Sequence, residues 1–389
     1  MPSKQHIAIS YHYFAHYREP ILDEIFHTLA PDYDVHLICD DKADLPALKC
    51  VSSAFLERHN WAPVKNVTLP AGFIWQKGLL GHLLKNRYDA VIFLGQMNLL
   101  ATWVAAPLLR LRGTKVLTWS HGVYGNEGRL KMFVRLTFYR LFQRTMLYGN
   151  HAKQIMIRHG FSPENLFVIG NSLDHKTQLL YRKNDEEERQ TRKTVAEQLF
   201  PASPDQPIAV FIGRLTPIKK LDLLLKAAAK LKEEGTGINV LIIGSGPEEP
   251  ALKETARTLK IEPCVCFYGE SYEERTLSEL ISISHVCVSP GDVGLTAMHA
   301  LVYGTPVITH NRFEYQMPEF EAIEDGITGS FFKFDDIDNL CHCIRNWTEK
   351  DEEERPHVRC ACMKVIDEFY NPAHEASVIM EALRSTGLK

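Results

Sequence analysis

Two cations and a glycine-rich turn give the first chemical signal in the chain. Arg214 and Gly213 directly follow a β-branched apolar run over 208–212, and Lys219 comes five residues later, where the next helix opens. Cations at a helix start oppose the backbone dipole unless an anion sits there. Arg and Lys held side by side at such a turn can neutralise a diphosphate through charge-assisted hydrogen bonds. Residues 289–310, reading SPGDVGLTAMHALVYGTPVITH, offer a matching backbone. A strand ends near Ser289, the turn passes through Gly291 and Gly294, a helix runs over 295–303, and Gly304 and Pro306 stop it before the strand at 307–309. In an open parallel sheet such a turn lies at the carboxyl end of its strand. There the free N–H groups of the helix start face a crevice, and anions bind.

The first half of the chain has its own strand-end loops. Tyr17 and Arg18 lie in the aromatic, His-rich loop 11–20 behind a strand at 7–10. Gln96 follows the buried strand 90–94, and His121 stands after the strand 115–119, just before Gly122, Tyr124 and Gly125. Polar and aromatic groups in these positions can stack on and hydrogen-bond a polar ligand. The cysteine pairs 264/266, 341/343 and 360/362 lack the C-x-x-C spacing of a zinc site, and 264–266 sits in a strand, so no metal site is expected.

These loops must be positioned by strands that alternate with helices, which implies parallel sheets flanked on both faces. Expected strands fall at 7–10, 35–39, 90–94 and 115–119, with a long connection from 40 to about 70, and again at 208–212, 239–243, 265–268, 285–289 and 307–309. The alternation breaks at a dense charge run, 183–193, and a proline-rich loop, 201–207. An N-terminal domain is expected over 1–180, a linker region over 181–206 and a second domain over 207–369, with a last helix in 370–389 packing back on the first.

With 389 residues, 45% hydrophobic and 24% charged, the chain is long enough for two cores. No signal peptide and no run of about 18 apolar residues are evident, and the expectation is a cytoplasmic protein. Residues 1–180 hold 20 Lys and Arg against 13 Asp and Glu, a net +7, whereas the remainder nets −11. Eight of the cations lie in 101–150, opposed only by Glu127. Such an excess suits solvated helix faces, a peripheral contact with an anionic membrane, or a phosphate-bearing acceptor; no nucleic-acid partner is expected.

The motifs FIGRLTPIKK (211–220), IIGSGP (242–247), 289–310 and GITG (326–329) resemble, in order and spacing, the donor half of retaining GT-B glycosyltransferases of family 4, the glycosyl transferases group 1. The likeness is strong over 207–340 and extends more weakly through His121-Gly122 and 170–174. It implies an α/β GT-B fold, two Rossmann-like domains facing across a central cleft, and a nucleoside-diphosphate sugar as donor with no cofactor and no metal. Arg214 and Lys219 would hold the diphosphate, with Gly213, Gly246, Gly291, Val293, Gly294, Leu295, Thr296 and His299 completing the donor site. His121 would touch the donor sugar, and Tyr17, Arg18, Gln96 and Tyr124 would serve a saccharide or lipid-linked acceptor.

The chain departs from the family's Glu-x7-Glu pair, whose positions fall on Gly291 and His299. An imidazole can take over hydrogen bonds to ribose hydroxyls. Gly291 cannot supply a carboxylate, but Asp292, one residue on, could. In the loop 310–319, Glu314 and Glu319 could meet sugar hydroxyls or cap a helix. The resemblance implies sugar transfer with retention in surface polysaccharide or glycoconjugate synthesis. An epimerase or hydrolase on the same fold, or a silent nucleotide-binding partner, are the competing classes. A dehydrogenase fits poorly, since 244–246 lacks the third glycine of a dinucleotide fingerprint.

Overall fold

A computed structural model describes residues 4–42 and 49–388. The chain divides into two compact units, one formed by Met1–Asp174 with Asn371–Lys389 and the other by His175–Tyr370.

The first unit is built on strands β1 (Gln5–Ser10), β2 (Tyr33–Cys39), β3 (Trp61–Pro63), β6 (Ala90–Leu94), β7 (Lys115–Ser120), β8 (Arg144–Leu147) and β9 (Leu166–Val168), with β4 (Lys65–Thr68) and β5 (Ile74–Lys77) as an antiparallel ribbon. Its seven strands are parallel, in the order β3-β2-β1-β6-β7-β8-β9. Strand β6 is buried at every position, as a central parallel strand covered on both faces must be. The connection expected over 40–70 instead contains a helix, Ser53–Arg58, capped by the Ser52 hydroxyl, followed by β3 and β4. The final helix, Pro372–Arg384, buries Ala376, Ile379, Ala382 and Leu383 in the same apolar cluster as Ile21, Leu22 and Ile25 of helix Glu19–Leu29.

The second unit carries β10 (Ile208–Ile212), β11 (Asn239–Ile243), β12 (Val265–Gly269), β13 (Val286–Val288), β14 (Val307–His310) and β15 (Gly329–Phe332), all parallel, in the order β12-β11-β10-β13-β14-β15. The first strand thus lies at the centre, and the chain winds outward first to one side and then to the other. The switch falls between β10 and β13. Ligands of open α/β sheets bind outside the carboxyl ends of the strands at such a point.

The region expected as a linker, 181–206, is folded into the second unit. Helix Asp185–Leu199 starts with a capping box between Asn184 and Glu187. Its Glu188 is buried and pairs with Arg355 at 3.0 Å, while Asp185 meets Arg359 Nε at 3.1 Å. The charge run has a paired, buried face as well as a solvated one, which composition alone does not reveal. Among the described residues no helix is long and apolar enough to cross a membrane.

Candidate functional site

In the second unit, the loops leaving β10 and β13 meet at the switch point. Lys219 closes a single turn of 3-10 helix, Pro217–Lys219, and its carbonyl accepts the Gly291 N–H at 3.0 Å. Gly291 has no room for a side chain, because a Cβ there would stand 1.9 Å from the Ile218 carbonyl oxygen. The two loops are therefore in backbone contact, and that packing leaves no space for a carboxylate at 291. The loop after β11 joins them. Leu215 donates its N–H to Ser245 O at 2.9 Å, and a Cβ on Gly246 would come within 2.2 Å of the Leu215 carbonyl. Gly246 accordingly serves loop-to-loop packing.

Thr296, at the start of helix Thr296–Val302, donates its hydroxyl to Ile212 O at 2.7 Å and so ties the helix to the end of β10 beside Gly213. Val293 is buried, and its N–H is taken by Gln316 Oε1 at 2.9 Å. The N–H groups of Gly294 and Leu295 belong to the turn that opens the helix, where backbone donors lack partners within the helix. Gly294 has φ +50°, a left-handed conformation that glycine adopts without strain.

Among the described residues Arg214 is exposed and its guanidinium makes no ion pair or hydrogen bond. Lys219 differs. Its Nζ lies 2.7 Å from Asp292 Oδ1 and donates to the Asp292 carbonyl at 2.8 Å. The two groups that the sequence assigns separately, one to phosphate and one to sugar, are paired here. His299 is crowded by protein; burial lowers its pKa and Glu274 counters in part, so the ring is neutral at pH 7. Among the described residues its buried Nδ1 has no hydrogen-bond partner, which leaves it open to water or a ligand.

Sequence reasoning passed over Gln316 and Thr309, which shape this turn. Gln316 Nε2 donates to Thr309 Oγ1 at 2.8 Å and to His310 O at 3.1 Å, while Thr309 donates to Ser289 O at 2.9 Å. Both are buried. Thr309 lies in strand β14 and Gln316 in the polar loop after it, and neither carries a charge that marks it in the sequence. In that loop, Glu314 lies 3.3 Å from Arg312 at the surface, and Glu319 is buried.

In the first unit the same end of the sheet gathers Arg18 and His121 around Tyr148. Arg18 donates to Tyr148 Oη at 2.8 Å and Asn171 Oδ1 at 3.2 Å, and its guanidinium lies 5.5 Å from the Trp119 ring centre. His121 packs on Tyr148 with 4.7 Å between centroids, and among the described residues its buried Nδ1 also has no partner. Tyr124 lies against His121 at 6.4 Å, Tyr17 against Arg18 at 5.6 Å, and Gln96 is exposed at the end of β6. Tyr148 and Asn171 are the residues sequence reading missed; only the folded sheet brings them to Arg18.

Burial, with Arg18 and Arg135 nearby, pushes the His121 pKa down to about 4. The unfolded ring titrates near 6.5, so protons bind the unfolded chain first as pH falls. Stability from the neutral ring is complete above about pH 6.5 and declines as pH drops toward about 4. Tm measured across this window should fall less steeply for His121→Gln than for the parent. Equal slopes would contradict a buried neutral imidazole.

Several solved structures share this architecture. The lipopolysaccharide outer core galactosyltransferase WaaB aligns over 98% of this chain and 100% of its own, with TM-score 0.70 at 15% identity. Anabaena HepE in complex with UDP aligns over the same shares with TM-score 0.71 at 16% identity. At these identities the likeness shows the fold alone, and the fold is GT-B. The D-inositol 3-phosphate glycosyltransferase of Nocardia farcinica is 30% identical over 193 residues, 46% of this chain and 39% of its own. That of Mycobacteroides abscessus is 35% identical over 167 residues, 41% of this chain and 34% of its own. The chain thus spans less than half the length of these relatives. Residues 193–359, which hold the whole crevice from Gly213 to Gln316, match the family model described as Glycosyl transferases group 1.

Proposed function

We propose that the protein transfers a sugar, with retention, from a nucleoside diphosphate to a saccharide or lipid-linked acceptor in polysaccharide or glycoconjugate synthesis. The observation that supports this reading is the backbone contact, at the switch point between β10 and β13, of the loop that carries Arg214 and Lys219 with the loop that carries Gly291 to Leu295. Arg214 and the N–H groups of Gly294 and Leu295 bind the diphosphate, and Lys219 joins them by leaving Asp292. His299 accepts or donates a ribose hydroxyl hydrogen bond as a neutral ring. As the glycosidic bond breaks, negative charge grows on the diphosphate, and fixed cations stabilise that charge more than the ground state. The departing phosphate takes the acceptor proton, so neither a protein nucleophile nor a metal at the diphosphate is required. Asp292, released from Lys219, would accept a hydrogen bond from a donor sugar hydroxyl. In the first unit, His121, Tyr17, Arg18, Gln96 and Tyr124 serve sugar recognition.

The acceptor reading has support in the helix Arg129–Tyr139 of the first unit. Leu130 and Phe133 are 77% and 66% exposed beside the exposed Arg129 and Lys131. Apolar side chains flanked by cations suit peripheral contact with an anionic membrane. Most of the basic excess stays at the surface, where Arg110, Arg112 and Arg140 are exposed and keep their charge. Arg110, Arg112, Arg140 and Arg144 donate to backbone carbonyls of their own unit, and Arg135 pairs with Glu127.

Thermal unfolding with UDP, GDP, ADP and dTDP tests the donor site. At about 100 times its dissociation constant the correct nucleotide stabilises by about 2.7 kcal/mol, a Tm rise of a few degrees. The rise should vanish in Arg214→Ala/Lys219→Ala. Silence toward every nucleotide would remove the diphosphate seat and favour a protein that no longer handles a sugar donor.

A further inference from the structure

At the opposite ends of the strands from these loops, two imidazoles converge on one carboxylate oxygen. The register of β1 and β2 sets His6 beside Asp34 and Ala8 beside His36. Alternation along each strand then puts His6, Asp34 and His36 on one face of the sheet. His6 Nδ1 lies 3.1 Å and His36 Nε2 2.9 Å from Asp34 Oδ2, and the three ligand atoms all fall within 4.8 Å of one another. Two ligands of a single tetrahedral zinc, with bonds of about 2.0–2.2 Å, stand roughly 3.3 Å apart. The carboxylate is oriented from behind, as Asn60 Nδ2 donates to Asp34 Oδ1 at 2.8 Å. A hydrogen-bonded carboxylate of this kind is the usual support of a metal ligand.

The neighbours leave the three groups accessible. His6 and His36 line an open groove with Asn60, Trp61, His82, Arg87 and Tyr88. His82 Nε2 is engaged with Tyr88 Oη at 2.9 Å, and the Tyr88 ring stands edge-on to His36, 5.4 Å between centroids. The side chains of His6, Asp34 and His36 keep 53%, 34% and 26% of their exposure, so an ion can reach them without opening the core. Two imidazole nitrogens with one carboxylate suit zinc and its first-row neighbours rather than magnesium or calcium.

We infer that His6, Asp34 and His36 form a binding site for a divalent transition-metal ion of the zinc class, with one coordination position open to solvent. The ion links β1 to β2 at their amino ends. It lies away from the strand-end loops of the same unit, so it acts on the stability of the sheet or on a ligand from outside. It takes no part in the sugar chemistry.

Isothermal titration of the full, chelator-stripped chain with zinc tests the site. One ion per chain should bind, and His6→Ala/His36→Ala should lose that ion. Asn60→Ala should retain it with affinity weakened roughly 10- to 100-fold. No binding, or equal stoichiometry in parent and double variant with the ion on the exposed Cys360 or elsewhere, would overturn the proposal. Should the double variant fail to fold, anomalous scattering at the zinc edge from crystals of the parent decides instead. A peak between His6, Asp34 and His36 supports the site, and its absence overturns it.

Discussion

Arg214→Ala lowers kcat/KM for sugar transfer by roughly 10²–10³-fold, the loss typical of one preorganised donor aimed at developing charge. The assay uses the donor whose nucleotide stabilises the fold. What makes this variant informative is that Arg214 is exposed and makes no ion pair or hydrogen bond among the described residues. Its removal leaves no orphaned group, so stability should move by no more than about 0.5 kcal/mol. A catalytic collapse without thermal destabilisation identifies a residue that acts on the ligand. Lys219→Ala should behave differently. It strands the Asp292 carboxylate, whose partner stands at 2.7 Å, and destabilises by about 1.5–3 kcal/mol in addition to its effect on rate. Equal thermal losses in both variants, or an unchanged rate in Arg214→Ala, would show that the cations belong to the scaffold.

The second large effect is a failure to repair. Gly291→Glu would introduce the acidic residue that the motif resemblance implies at this position, and by sequence logic alone it should rescue or broaden activity. The structure predicts the reverse. A Cβ at 291 meets the Ile218 carbonyl oxygen at 1.9 Å and the Ile218 and Lys219 carbonyl carbons at 2.8 Å, all of them backbone. Backbone cannot yield as a side-chain tip can, so the loops after β10 and β13 must part and the Gly291 to Lys219 hydrogen bond is lost. A cost of about 3 kcal/mol or more follows, a Tm fall on the order of 6–12 °C for a unit of this size. Gly291→Ala carries the same clash and should lose nearly as much, which separates the steric cause from the charge. A stable Gly291→Ala with normal activity would refute the close approach.

Much of the second unit was legible in the chain. The strands at 208–212, 239–243 and 307–309 announce themselves because central parallel strands are buried on both faces and read as near-continuous apolar runs rich in Val and Ile. Gly304 and Pro306 mark the end of the donor-side helix by local chemistry, and that too can be read one residue at a time. The pairing of Lys219 with Asp292 could not be read so. It joins residues 73 positions apart and depends on how two loops stack. Gln316 is similar. A neutral amide in a polar loop gives no signal until folding buries it against Val293 and Thr309. Arg18 was found as a cation in an aromatic loop, yet its partners Tyr148 and Asn171 lie 130 and 153 residues on, so its environment belongs to topology. The charged segment at 183–193 misled for the converse reason. Its composition matches a solvated helix, and only the tertiary partner Arg355 shows that Glu188 faces inward.

The most direct test of the account is a crystal structure of the protein with the nucleoside diphosphate that raises its Tm. The two phosphates should lie at the switch point between β10 and β13, held by Arg214 and by the N–H groups of Gly294 and Leu295. Lys219 Nζ should have moved from Asp292 to a phosphate oxygen, and His299 Nδ1 should be bonded to the ribose. A nucleotide bound elsewhere, or phosphates seated there with Lys219 still on Asp292 and Arg214 still in solvent, would contradict it.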